Sequence, residues 1–402
     1  MAMRRMVAVC PLVPWPPADG GRKRTLRLLE AAERVGLVPH ILTADGANPE
    51  GVGALRGRGW TVELLEPPPG DPRARLRQQL RRLPSPYQPR LEARLRELVA
   101  EAPTLVQVEH TQSAYYADAL AGAPWILSVH NVDSQLMRTL AESRRPLTAG
   151  WLRDWNRWQA MRAVERRAGA AATAVLCVSE NDRRTFGAVS RRVVLSPNGI
   201  DDDFFAAARP PAAAGPPRLL FFGRLDYEPN ALGFDRFLRE GWPLLHQRRP
   251  DARLRLVGGG ASAELRGAAT AAPGVEVVGF VEDLVAELAA SDALVVPLWA
   301  GGGTRLKVLE AMAAAVPIVG TGLGVEGIGF EDGVHGLVRD TPGSLSAGLD
   351  ELLADRERAV GMAAAGRSLA EDFRWSRALA PAEALFRELA EAQPARSLHR
   401  TS

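Results

Sequence analysis

The sequence predicts an α/β protein built from two doubly wound parallel-sheet domains. Three observations carry this. Short apolar runs of strand length alternate with helical patterns along nearly the whole chain. The alternation is interrupted once, by the proline- and alanine-rich segment at residues 206–217, and then restarts. Glycines and polar residues follow the apolar runs, as expected of strand C-terminal ends that line a ligand crevice. The domains are expected at residues 1–200 and 218–375, with a linker at 201–217. A C-terminal helix at 376–402 is expected to pack back on the first domain.

In the first half, residues 6–13 read as a buried strand. A loop with Gly20 and Gly21 follows, then an amphipathic helix from Arg22 to Val35 and a second strand from Pro39 to Thr43. This is a β–loop–α–β opening without a GxGxxG fingerprint. Residues 67–90 are rich in proline and arginine and read as a solvated helix pair, or as a basic face for an anionic partner. Leu105 to Val108 ends at Glu109-His110, and Trp125 to Val129 ends at His130-Asn131. Two histidines at the ends of two neighbouring strands make His130, and secondarily His110, site candidates. Trp151, Trp155 and Trp158 recur at helical spacing, which predicts a core-facing stripe; contact with lipid is the second reading. Further strands are expected at Ala174–Val178 and Arg192–Leu195.

In the second half, strands are expected at 218–222, 253–257, 275–278, 293–298, 317–319 and 336–338, with helices between them. The loops after the first four should share one sheet edge. They carry Arg224; the glycines from Gly258 to Gly260; Glu282 and Asp283; and the stretch Gly301-Gly302-Gly303-Thr304-Arg305-Leu306-Lys307-Val308-Leu309-Glu310. That last stretch reads as strand, glycine loop, helix. Glycines free backbone N–H groups to approach an anion, and a helix start adds its positive end. Arg305 and Lys307 supply charge, and Glu310 can accept hydroxyl hydrogens. The set suits a nucleoside diphosphate. No Walker lysine motif is present, so ATP hydrolysis is not expected.

Composition bounds the remaining possibilities. With 402 residues, 46% hydrophobic and 24% charged, the chain is an ordinary globular protein. A formal charge of +3 does not announce nucleic acid. Cys10 and Cys177 lie in apolar runs, and no disulfide framework or metal spacing is evident. Neither a signal peptide nor a membrane-spanning run is read, so the expected location is cytoplasmic, with peripheral contact at the inner membrane face.

Taken in order and spacing, several motifs resemble the GT-B glycosyltransferases of the bacterial GT4-like group, also called glycosyl transferases group 1. They are Asp19-Gly20-Gly21, Ser128-Val129-His130-Asn131-Val132, Val178-Ser179-Glu180-Asn181-Asp182, Pro197-Asn198-Gly199-Ile200-Asp201, Gly223-Arg224-Leu225-Asp226, Val278-Gly279-Phe280-Val281-Glu282-Asp283, and Gly301 to Ala314 with Pro317. The resemblance covers nearly the whole chain. It implies two Rossmann-like domains facing a cleft and retaining transfer from a nucleotide sugar, UDP- or GDP-linked, with no further cofactor and no metal. The implied acceptor is a glycan, a lipid-linked or a small-molecule hydroxyl, as in exopolysaccharide or glycolipid synthesis.

The resemblance also implies roles. Gly20 and Gly21 would let donor and acceptor approach the first loop, and His130 would contact the donor sugar. Arg224 would bind phosphate, residues 279–283 would hold the base, and Glu310 would meet the ribose. Two positions depart from the pattern. The first glutamate of the family's E-x7-E falls at Gly302, and the lysine of Gly-Arg-Leu-x-x-x-Lys falls near Asn230. Arg305 and Lys307 are expected to make good the missing charge. No carboxylate accompanies the histidine loop as a nucleophile, Glu109 being a remote candidate, so front-face attack by the acceptor hydroxyl is expected. A nucleotide-sugar 2-epimerase and a catalytically silent binding subunit share the architecture and remain alternatives.

Overall fold

A computed structural model describes residues 4–17, 19–45, 48–65, 88–142, 144–207, 215–301 and 305–393. The arginine-rich segment expected as a helix pair lies mostly outside these residues, as do Gly302, Gly303 and Thr304. The chain divides into two compact units. The first comprises Met1–Ala141, Pro146–Asn198 and Ala378–Ser402; the second comprises Glu142–Arg145 and Gly199–Arg377.

The first unit holds a seven-stranded parallel sheet. Its strands are β1 (Arg4–Val9), β2 (Leu37–Thr43), β3 (Thr61–Leu64), β4 (Leu105–Glu109), β5 (Trp125–Ser128), β6 (Ala174–Cys177) and β7 (Val193–Leu195), in the order β3-β2-β1-β4-β5-β6-β7. Val7, Val9, Val106, Val108, Leu127 and Val175 are fully buried in one core cluster, as strands covered by helices on both faces require. Strand order reverses between β1 and β4, which makes the loops after those two strands flank the switch point. The first strand stops at Val9, short of the expected residue 13. Pro11 and Pro14 lack the N–H that continued pairing would need. Strand β3 was not anticipated: Thr61-Val-Glu-Leu is too short to show a clear alternation. The last helix, Ala380–Glu391, packs against the helix Gly20–Arg34 and β7.

The tryptophan stripe corrects the sequence expectation. On the helix Ala149–Ala171, Trp155 is 36% exposed, and Trp151 and Trp158 are half-buried. The buried face is instead made by Asp154, Met161, Glu165, Ala168 and Gly169. Those positions share a helical stripe too, but two of them are acidic, so hydrophobic periodicity pointed to the neighbouring aromatic face.

The second unit holds a six-stranded parallel sheet: β8 (Arg218–Phe222), β9 (Arg253–Val257), β10 (Val275–Gly279), β11 (Ala293–Val296), β12 (Ile318–Gly320) and β13 (Leu337–Val338), in the order β10-β9-β8-β11-β12-β13. The reversal falls between β8 and β11. Strand β11 ends at Val296, two residues earlier than expected, where Pro297 follows. Residues 201–205, expected in the linker, are packed, as is Ile200 before them. Ile200 donates its N–H to the Phe373 carbonyl (2.7 Å), Phe204 and Phe205 are buried, and the Arg374 guanidinium lies 3.7 Å from the Phe205 ring centre. Two adjacent phenylalanines are costly to leave in water, which favours this docking. Among the described residues no helix is long and apolar enough to cross a membrane.

Candidate functional site

Each unit places a polar cluster at its own switch point. In the first, β4 and β5 pair in register with Glu109 opposite Ser128. His110 and His130 therefore emerge from adjacent strand ends, and their rings stack with centroids 3.7 Å apart. The N–H of His110 is fixed on the Ser128 carbonyl at 2.9 Å. His110 has φ of 63°, a conformation costing on the order of 1–3 kcal/mol for a non-glycine residue. The loop after β1 comes to the same place. Asp19 caps the helix Gly20–Arg34 by accepting from the Arg22 N–H at 2.9 Å, and a Cβ on Gly21 would lie 3.5 Å from the His110 ring. Gly21, His110 and His130 are thus brought together.

Beneath the imidazoles lies Glu109, with no exposure at all. His130 Nε2 is 2.7 Å from its Oε2, Thr25 donates to the same oxygen at 3.1 Å, and Gln107 donates to Oε1. Burial pushes the Glu109 carboxyl up, against the opposing pull of His110 and of its hydrogen-bond donors. Burial, aided by Arg24, holds His130 well below the usual imidazole range. Both shifts have burial as their largest cause, and both disfavour charge on the contact. His110 is pushed down to about 3 by burial and by His130. The two imidazoles are neutral at physiological pH. Glu109 is sealed away as a positioning group for His130 and has no surface from which to attack a sugar.

Sequence reasoning missed Arg24. It is fully buried, donating to the Pro197 carbonyl (3.2 Å) and the Asn198 side chain (3.3 Å), and burial lowers it to about 10. It follows Arg22 and Lys23 and precedes Thr25, so it read as one of a run of solvated polar residues. Its positive charge reinforces burial in holding the His130 imidazole neutral.

In the second unit, the loops after β8, β9, β10 and β11 lie along one sheet edge. The first two touch through backbone. A Cβ on Gly258 would sit 2.0 Å from the Gly223 carbonyl oxygen, and Gly258 has φ of 134°. The Leu225 N–H donates to the Gly259 carbonyl at 2.8 Å. These glycines are therefore required for the loops to close on one another. Asp283 caps the helix Leu284–Ala289, its carboxylate accepting from the Ala286 N–H at 2.8 Å, while Glu282 is exposed.

The strongest juxtaposition spans the switch point. Lys307, in the first turn of the helix Leu306–Ala313, reaches back over the Phe221 ring at 4.7 Å and donates to the Asn230 side-chain oxygen at 2.8 Å. The Asn230 amide in turn donates to the Arg224 carbonyl at 2.7 Å. A Cβ on Gly223 would lie 3.0 Å from the Lys307 amine. Burial, reinforced by Arg305, pulls Lys307 down to about 7, against Glu310, which favours the charged form. Asn230, near where the family's lysine falls, is thus hydrogen-bonded to Lys307. Arg305 is buried, with its guanidinium packed against Gly301 and Nε on the Leu323 carbonyl at 3.3 Å. Arg224 is exposed and forked onto Asp226 at 3.0 and 2.6 Å. A signal for Lys307 was available in composition. It is one of two lysines in a chain whose basic residues are otherwise arginine. An amine can be tuned by burial in a way that a guanidinium cannot.

Residues 18–204 match the model of Glycosyltransferase Family 4, and residues 216–355 match that of Glycosyl transferases group 1. Between them the two models span most of the chain. The chain belongs to this glycosyltransferase family. Solved structures agree on the GT-B fold. The glycosyltransferase is similar to sucrose-phosphate synthase from Thermosynechococcus elongatus, with 20% identity and a TM-score of 0.73 over 97% of this chain and 100% of that one. It is also similar to HepE from Anabaena, solved with UDP and glucose, with 17% identity and a TM-score of 0.68 over 97% and 100%. A third similarity is to WaaG, a glycosyltransferase of lipopolysaccharide biosynthesis, with 16% identity and a TM-score of 0.65 over 94% and 99%. No curated protein matches the glycosyltransferase by sequence.

Proposed function

We propose that the chain transfers a hexosyl-type group from a nucleoside-diphosphate sugar to an acceptor hydroxyl with retention of anomeric configuration, in glycan or glycolipid assembly. The donor diphosphate is assigned to the switch point of the second unit. The observation that carries this reading is Lys307, held on Asn230 beside Gly223 with a strongly depressed amine. A buried amine near neutrality takes up its full charge when a diphosphate arrives, so it responds to the ligand it is meant to hold. Glu310, one turn along the same helix, is assigned to the ribose. Residues 279–283 are assigned to the base, and Arg224 to a phosphate once released from Asp226. UDP is the first nucleotide to test, since HepE has been solved with UDP and UDP-glucose.

In the transfer step, the anomeric C–O bond to the diphosphate breaks while the acceptor oxygen bonds to the same face. The hydroxyl proton passes to the departing phosphate oxygen. Lys307, Arg224 and loop N–H groups stabilise the charge that develops there, which replaces a metal or a further cofactor. The neutral His130, fixed by Glu109, is assigned to hydrogen-bond the donor sugar.

A thermal-shift screen with UDP, GDP and their sugars tests the donor. Selective stabilisation by one base supports the reading, and indifference to all of them contradicts it. Product analysis with and without acceptor tests the reaction. Interconversion of donor sugars in the absence of acceptor would make the protein an epimerase instead.

A further inference from the structure

The helix Ala149–Ala171 presents a surface that the sugar-transfer reading does not use. Trp151 and Trp155 stack with ring centres 5.1 Å apart, and Trp158 meets Trp155 edge-on at 4.5 Å. Leu152 is 47% exposed, and Leu147, just before the helix, is 80% exposed. The charges on this helix are segregated by depth. Arg153, Arg157, Arg162, Arg166 and Arg167 are all exposed, whereas both its acids, Asp154 and Glu165, are buried. Glu165 is occupied by the Ser134 N–H at 2.9 Å, and Asp154 lies 3.2 Å from Arg153 and 3.9 Å from Arg157. Among the described residues, one outward carboxylate is bonded to the helix's arginines: Asp118, which pairs with Arg167. Arg162 falls on the same helical stripe as the three tryptophans, at i+4 from Trp158.

We propose that this face docks the protein on an anionic lipid surface, independently of the donor it uses. Indoles combine an apolar body with an N–H and settle at the headgroup level; arginines bury their stems and leave their heads among lipid phosphates. Exposed leucines add apolar contact at the same depth. The other occupants fit less well. A second copy using the same face would bring like arginine clusters together. A glycan would need open aromatic planes, yet these indoles cover one another.

Flotation with vesicles tests the proposal, using the whole chain without donor. Binding is expected on phosphatidylcholine mixed with phosphatidylglycerol, weak on phosphatidylcholine alone, and reversed by salt. The double variant Arg162→Gln/Arg166→Gln should bind the anionic vesicles about thirtyfold less well. Trp155→Ser should bind several-fold less well. Unchanged melting temperatures show that both variants are folded, and they do so whether or not a nucleotide binds. Failure to float with anionic vesicles, or variants that float like the parent, overturns the proposal. So does self-association that the variants abolish, which would give the face to a second copy.

Discussion

Lys307 offers a prediction in which magnitude and sign both follow from its surroundings. In the free protein its amine is pulled down to about 7 by burial and by Arg305. At pH 8 roughly nine in ten of these amines are therefore neutral. A bound diphosphate favours the ammonium and raises the value again, so binding must draw a proton from solvent. The sign is then fixed. The amine's contribution to UDP affinity is nearly full about one unit below pH 7 and falls as pH rises through the free value, by up to tenfold, or about 1.4 kcal/mol, per pH unit. The ligand adds little between pH 7 and 8, because a terminal phosphate with a second pKa near 6 is about nine-tenths ionised at pH 7 and about 99% ionised at pH 8. Titration calorimetry at pH 8 in buffers of different ionisation enthalpy reads the uptake directly, and roughly 0.9 proton per nucleotide is expected. Asp133 is pushed up to about 7 by burial and could titrate nearby, so the source is identified with Lys307→Gln. That variant should abolish the uptake and weaken UDP by about 10- to 100-fold at pH 7, the worth of a charged hydrogen bond. UDP binding at pH 8 with no proton uptake, or uptake that survives Lys307→Gln, would refute the reasoning.

Two further outcomes follow from the close contacts. Gly258→Ala places a Cβ 2.0 Å from the Gly223 oxygen at a φ of 134°, so it should destabilise the second unit by about 2 kcal/mol or more and weaken nucleotide binding, seen together in thermal unfolding with and without UDP. In the first unit, Glu109→Ala strands Thr25, Gln107 and His130 and should cost about 1–3 kcal/mol in denaturant unfolding. Glu109→Gln keeps the hydrogen-bonding shape but removes the ionisable carboxyl from His130. It should lower kcat while sparing KM for the donor; an unchanged kcat would reduce Glu109 to a structural role.

Much of the fold was legible because parallel sheets are buried on both faces. Their strands read as continuous apolar runs, and Val7 to Val9 or Leu294 to Val296 could hardly be anything else. Strand ends were less legible where a proline cut the ladder, as at Pro11 and Pro297. The histidine pair was readable because polar residues at the ends of adjacent apolar runs have few structural reasons to be there. What supports it was not readable. Glu109 and Arg24 act through contacts with residues far off in sequence, Arg24 with Pro197 and Asn198 and Glu109 with Thr25. The tryptophan stripe misled for a physical reason. Periodicity reports which residues share a face, whereas burial here went to the adjacent face, where acids are satisfied by hydrogen bonds. In the second unit, the glycines announced a close backbone approach, but the fold was needed to show that Lys307 reaches Asn230 across the switch point.

The central claim is that the diphosphate of a nucleotide sugar sits at the Lys307–Asn230 contact. A crystal structure of the chain with UDP tests it most directly. A phosphate oxygen is expected within hydrogen-bond distance of Lys307 Nζ, in the loops after β8 and β11. A nucleotide bound with its phosphates away from Lys307 would contradict it.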